Sequence, residues 1–341
     1  MTGATIFGCA GTVLGAQEAA FFRESDPFGF IVFARNVETP DQLRRLTADL
    51  RASVGRDAPV FVDQEGGRVQ RLRSPHWSEW LPPMDEVAQV SAAHGLAGAA
   101  RAMWLRYRLI ADELRSVGID GNCAPTADVL TPATHPFLKN RCYADTPEAV
   151  ALLSRAVADG HLAGGVLPVV KHMPGHGRAV NDTHHDLPTV TESAEVLQTT
   201  DFAAFRALND LPLAMTAHIV FSAYDDLPAT CSTRMIEVIR RDIGFSGLLM
   251  SDDLNMQALS GTLAERAARS VAAGCDIALH CKGDLAEMQA VAGAAGRMSV
   301  AAEVRGVAAL AQRRMPDPVD IAALRAEHSA LLGRTQTAGH V

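Results

Sequence analysis

Short apolar runs alternate along this chain with longer stretches in which apolar residues recur at helical spacing. The runs fall at residues 4–10, 28–34, 59–62, 119–124, 165–170, 213–220, 247–250 and 275–279. Continuous apolar runs of this length read as buried strands, and the stretches between them as helices packed outside. Several of these stretches open with a hydroxyl side chain able to cap a helix, two of them followed by proline: Thr39-Pro40 before Asp41, Thr146-Pro147-Glu148, Thr191-Glu192, and Ser232-Thr233 before Arg234. Eight strand–helix alternations with no Pro/Ser/Gly-rich linker predict an α/β fold, a single (β/α)8 barrel of the TIM type occupying residues 1–341 as one catalytic domain. From about Asp317, where Pro316 and Pro318 interrupt the pattern, a last helix and a frayed tail are expected. An open doubly wound sheet is the alternative, but no GxGxxG follows the first strand to support dinucleotide binding.

Composition narrows the classes. Hydrophobic residues make up 48% of the chain and the net charge is −8, with no Lys/Arg run longer than two residues. That is not the electrostatic footprint of a nucleic-acid binder. The apolar stretches are far short of the roughly 20 residues that cross a bilayer, and Met1 to Thr5 lacks the basic start of a secretory signal, so neither membrane insertion nor secretion is expected. The six cysteines (Cys9, Cys123, Cys142, Cys231, Cys275 and Cys281) form no CxxC pair and read as buried, reduced thiols of a cytoplasmic protein. A monomer is expected.

Polarity is concentrated where one apolar run ends. Lys171-His172-Met173-Pro174-Gly175-His176-Gly177 is followed by Asn181-Asp182-Thr183-His184-His185-Asp186. Burying so many polar groups without partners would cost roughly 2–7 kcal/mol each, so the cluster belongs in a cleft. Pro174, Gly175 and Gly177 break regular structure and predict a mobile loop carrying Asp182 and His184. In a barrel the C-terminal strand ends build the active site. Asp63-Gln64-Glu65-Gly66-Gly67-Arg68 follows the third strand, Lys171-His172 ends the fifth, His218 lies near the end of the sixth, and Ser251-Asp252-Asp253 ends the seventh. One rim collects them, as catalysis requires.

Two chemistries could use this set. Zinc hydrolases hold their metal with such side chains, and His172, His176, His184 and His185 suffice in number. However, the first strand has no His-x-His and the chain has no HExxH. In glycoside hydrolysis, one carboxylate attacks the anomeric carbon while a second group protonates the leaving oxygen. A strand-end Asp and a loop Asp-x-His match those two tasks.

At this point a resemblance becomes specific. Val62-Asp63-Gln64-Glu65-Gly66-Gly67-Arg68-Val69-Gln70-Arg71-Leu72, the Lys171–Gly177 run, Asp182-x-His184 with Leu187-Pro188 after it, and Ser251-Asp252-Asp253-Leu254-x-Met256 together resemble glycoside hydrolase family 3, in its bacterial β-N-acetylhexosaminidase branch. The likeness runs from about residue 6 to 285, through Gly29-Phe30-Ile31-Val32-Phe33-Ala34-Arg35-Asn36 and Ala124-Pro125-Thr126-Ala127-Asp128-Val129. It implies that Asp252 is the nucleophile of a retaining, covalent mechanism, His184 the general acid/base and Asp182 its orienting carboxylate. It also implies that Asp63, Arg71, Arg141, Lys171 and His172 bind the sugar. The implied activity is an exo-acting β-N-acetylglucosaminidase that needs neither cofactor nor metal. The implied substrates are muropeptides, GlcNAc-1,6-anhydro-MurNAc and its peptide forms, in peptidoglycan recycling. A family 3 β-glucosidase, a β-GlcNAc phosphorylase, a metal-dependent amidohydrolase and an inactive sugar-binding relative are the alternatives.

Other residues have quieter expectations. Asp253 is read as a cap for the helix that follows, His176 as a brace for the Gly-rich turn, and His185 and Asp186 as solvent-facing. Trp77 and Trp80 either line the mouth as a stacking platform or pack over the barrel rim. Two segments depart from the family pattern, Arg178-Ala179-Val180-Asn181 and Lys139-Asn140-Arg141-Cys142-Tyr143-Ala144. The second bears on Arg141.

Overall fold

A computed structural model describes residues 1–180 and 186–334. Eight parallel strands form its centre: β1 (Gly3–Gly8), β2 (Pro27–Val32), β3 (Val60–Val62), β4 (Gly121–Asn122), β5 (Leu167–Met173), β6 (Leu213–Thr216), β7 (Leu248–Met250) and β8 (Ala278–His280). From β1 to β7 each strand pairs with the next in sequence, and β1 also pairs with β8. The ring closes between β7 and β8 through the Met250–Ile277 bridge and the Ser251 N–H, which donates to Ile277 O at 2.9 Å. The fold is therefore the (β/α)8 barrel that the alternation predicts. Every residue of these strands is buried, which explains why most of them read as apolar runs rather than alternating ones.

Local chemistry starts the outer helices where expected in three of four cases. Thr39, Thr146 and Ser232 each accept a backbone N–H of the first turn, and proline occupies the first helical position after both threonines. The fourth start moves. Thr189–Val190 pairs in parallel with Val220–Phe221 outside the barrel, and Glu192 is held by Arg178. The helix therefore begins after Ser193, whose hydroxyl accepts from Val196 N–H. The same pairing splits the apolar run 213–220 between β6 and this outer ladder.

The chain closes on a helix, Ile321–Leu331, capped by Asp320. It docks on the long helix Pro83–Arg115 through a bidentate Arg101–Glu327 pair (2.8 and 2.8 Å) and a His328–Glu86 contact at 2.8 Å. Residues 335–341, where fraying is expected, lie outside the described residues. Among the described residues no helix is long and apolar enough to cross a membrane. All six cysteines are buried and unpaired with one another.

Candidate active site

The rim after β3 is organised by Gln64. Its backbone exchanges two hydrogen bonds with the Asn122 side chain at the end of β4. Its side-chain oxygen accepts from the N–H groups of Arg71 and Leu72 at 2.9 and 3.0 Å. Through these bonds Gln64 folds the 64–70 hairpin back and brings Arg71 onto Asp63, Nη2 to Oδ2 at 2.9 Å. Glycine is required at position 66, where φ is +106° and a Cβ would stand 1.8 Å from Arg106 Nη2. That guanidinium braces the hairpin by donating to Glu65 O and Leu81 O while paired with Glu86.

Beneath the rim lies a buried ion network. Glu65 receives Arg141 in a two-point pair (2.8 and 2.9 Å) and Lys171 at 2.7 Å, and Lys171 also reaches Asp63 at 3.2 Å. Burial alone would raise the carboxyl pKa values. The Arg141 and Lys171 charges outweigh it at Glu65 and hold that group down to about 2, while Lys171 and Arg71 hold Asp63 well below the usual carboxylate range. The network thus carries fixed charges at neutral pH.

Across the cleft Asp252 stands at the end of β7, partly exposed, with Oδ1 accepting from the Asp253 N–H at 2.8 Å. Burial opposes its ionisation, but His218, His172, the Asp253 N–H and Lys171 prevail and hold its carboxyl below the ordinary range. His218 is fully buried and braces this strand end, with Nε2 3.1 Å from Asp253 O and Nδ1 2.7 Å from Thr230 Oγ1. Asp253 is pushed up to about 6, by burial first.

These residues converge. A cleft of about 280 Å³ is lined by Asp63, Arg71, Arg141, Lys171, His172 and Asp252, together with Phe33, Arg68, Phe137, His176 and Asp253. Six of the eight residues singled out in the sequence therefore share one cavity. Asp182 and His184, like His185, lie outside the described residues.

Other expectations are corrected, narrowed or met. Asp253 caps no helix: Oδ1 accepts from Asn255 N–H (3.1 Å) and Cys281 N–H (3.2 Å), so it fixes a turn and ties it to the end of β8. Trp77 and Trp80 belong to the hydrophobic core at 8% exposure each, with Trp80 against His328, and neither lines the cleft. His176 braces its turn through its backbone, whose N–H donates to Asp128 Oδ1 at 2.7 Å, but its ring also faces the cleft beside His172. Gly177 explains the rest of that turn, since a Cβ there would meet Val129 O at 1.8 Å. Asp186 is exposed, as expected.

The sequence reading missed Asp128, the ion-pair role of Glu65, and the mouth residues Phe33, Arg68 and Phe137. Asp128 had a signal, since it is the first carboxylate after β4 and strand ends carry the site. Phe137 had none, because a single aromatic in a loop has no period.

Comparison with known proteins agrees with this geometry. The model of the glycosyl hydrolase family 3 N-terminal domain matches residues 17–310. A β-hexosaminidase of Bordetella avium is 36% identical over 291 residues, covering 84% of this chain and 82% of that protein. One of Pseudomonas aeruginosa is 36% identical over 304 residues, covering 88% of each. Among solved structures, Neisseria gonorrhoeae NagZ in complex with N-trifluoroacetyl-D-glucosamine superposes with a TM-score of 0.85 at 30% identity over 97% of both chains. The chain belongs to glycosyl hydrolase family 3 and is a glycoside hydrolase of its β-hexosaminidase group.

Proposed function

We propose that this enzyme is a cytoplasmic, exo-acting, retaining β-N-acetylglucosaminidase that removes terminal β-linked GlcNAc from muropeptides during peptidoglycan recycling. The observation that carries the reading is one small cleft holding an ionised strand-end carboxylate opposite a preorganised ring of charges. At about 280 Å³ it sits near the lower bound of ligand sites, which suits one pyranose at a chain end rather than a run of sugars. The gonococcal relative was solved with an N-acylglucosamine. In this reading one catalytic domain, C-terminal helix included, acts as a monomer without cofactor or metal.

The chemistry follows from the charges. An Asp252 oxygen forms a bond to the anomeric carbon as the glycosidic C–O bond breaks, and the leaving oxygen takes a proton from His184. Water then gives its proton to His184 and displaces Asp252, so two inversions retain the configuration. Asp182 orients the His184 ring. Asp63, Arg71, Arg141, Lys171 and His172 supply fixed donors and acceptors to the sugar hydroxyls, which needs no reorganisation as charge develops. The test compares hydrolysis of p-nitrophenyl β-GlcNAc and the β-glucoside, with and without EDTA and phosphate. Preference for the GlcNAc substrate, indifferent to both additions, is expected. Preference for the glucoside, a sugar phosphate product, or activity restored only by zinc would replace the reading.

A further inference from the structure

Asp128 is wholly buried, yet its carboxylate takes three donors from two residues that bracket the exit of β5. Oδ1 accepts the backbone N–H of His172 at 3.2 Å and of His176 at 2.7 Å, and Oδ2 stands 2.8 Å from His172 Nδ1. We propose that Asp128 is a positioning residue for hydrolysis: it fixes the His172 ring as the tautomer that carries its proton on Nδ1 and leaves Nε2 as the ring nitrogen offered to the sugar. The proposal rests on the reading of His172 as a sugar-binding residue.

The tautomer follows from the donor and acceptor inventory. An ionised carboxylate only accepts, so the nitrogen facing it must carry the proton. Asp128 is ionised: burial opposes this, but the His172 ring and the bonds from His172 and His176 hold its carboxyl below the usual range. One rigid group thus sets both the backbone and the ring of His172. With Nδ1 engaged by Asp128, Nε2 is the ring nitrogen left for the cleft that this side chain lines together with Asp252. The neighbouring His176 ring, 5.2 Å away, is held down to about 4, by burial first and then by His172. It therefore adds no competing charge near neutral pH, and it meets Asp128 Oδ1 through its backbone.

A structural staple and a tautomer lock can be separated. In Asp128→Asn the amide oxygen can keep both backbone bonds, but the amide nitrogen donates to Nδ1 and forces the proton onto Nε2. The experiment measures kcat/KM for p-nitrophenyl β-GlcNAc with Asp128→Asn in the native and His172→Ala backgrounds. A loss of about 30-fold is expected in the first and less than about three-fold in the second, as for a group acting through the ring it orients. Equal losses in both backgrounds, or none in the native one, would refute the role of Asp128. A His172→Ala enzyme as active as the native one would overturn the sugar-binding reading and this role with it. Imidazole 15N spectra of the unmutated protein decide the tautomer whether or not the variants fold: a proton on Nδ1 is expected, and a neutral ring protonated on Nε2 overturns the proposal.

Discussion

Two adjacent carboxylates at one strand end are driven apart by their surroundings. Asp252 faces His218, His172 and Lys171 and ionises readily, whereas Asp253, desolvated and beside the Asp252 charge, is raised to about 6. Such a split marks which member of a pair can attack. Asp252→Ala is therefore expected to lower turnover by about three or more powers of ten, and a fluorinated glycosyl fluoride should leave its mass adduct on Asp252. An adduct on Asp253 would reverse the assignment. For acid catalysis Glu65 is excluded by its ion pairs, because a group held ionised by Arg141 and Lys171 has no proton to give near neutrality. His184→Ala should then cripple natural substrates far more than the glycosylation step with an activated aryl GlcNAc, giving a pre-steady-state burst as the glycosyl-enzyme accumulates. Equal losses for both substrates without a burst would return the histidine to a binding role.

At the scale of elements, legibility tracked the kind of force involved. Most of the eight strands were visible because burial on both faces makes an apolar run, and Gly121–Asn122 because it sits between Ile119 and Cys123-Ala124. The caps at Thr39, Thr146 and Ser232 were visible because their chemistry is local. The start after Ser193 was not, since the Thr189–Val190 ladder that displaces it pairs with a segment some thirty residues later. For the same reason Asp63 and Lys171 could be placed on one rim from their strand ends, whereas the Glu65–Arg141 pair spans 76 residues and needed the fold. The hairpin after β3 offers a test of this level. Gly66→Ala would drive a Cβ into Arg106, itself locked to Glu86, in a backbone conformation that side chains resist. Disrupting such a buried pair costs about 3 kcal/mol or more. The expected readout is a lower urea midpoint at unchanged slope, together with a raised KM as Arg71 loses its support. A midpoint within error of the native value would show that the hairpin tolerates the shift.

For the whole molecule, buried histidines set how stability depends on pH. His161 is fully buried, accepts the Asn122 side-chain N–H at 2.9 Å, and is held down to about 3 by burial. His176 is held down to about 4, and His218 and His280 are lowered as well. Each is biased toward the neutral form in the folded state, whereas the unfolded chain protonates its histidines below about pH 6.5. The unfolded state then binds more protons, so stability falls as pH drops below that value, by up to about 1.4 kcal/mol per pH unit for each such group. Asp253 works the other way: protonated in the fold up to about pH 6 but ionised when unfolded above about 4, it stabilises the fold as pH falls through that window. The depressed carboxylates Asp63, Glu65, Asp128 and Asp252 contribute stability above about pH 4 that is lost only below it. Denaturant unfolding between pH 8 and 4.5 should therefore show a plateau near neutrality and a decline starting close to pH 6.5, before the depressed carboxylates titrate and offset in part by Asp253. His161→Gln keeps an acceptor for Asn122 and removes one titrating group. Its decline should be shallower by nearly one proton, and an unchanged slope would mean that His161 takes up its proton within the fold.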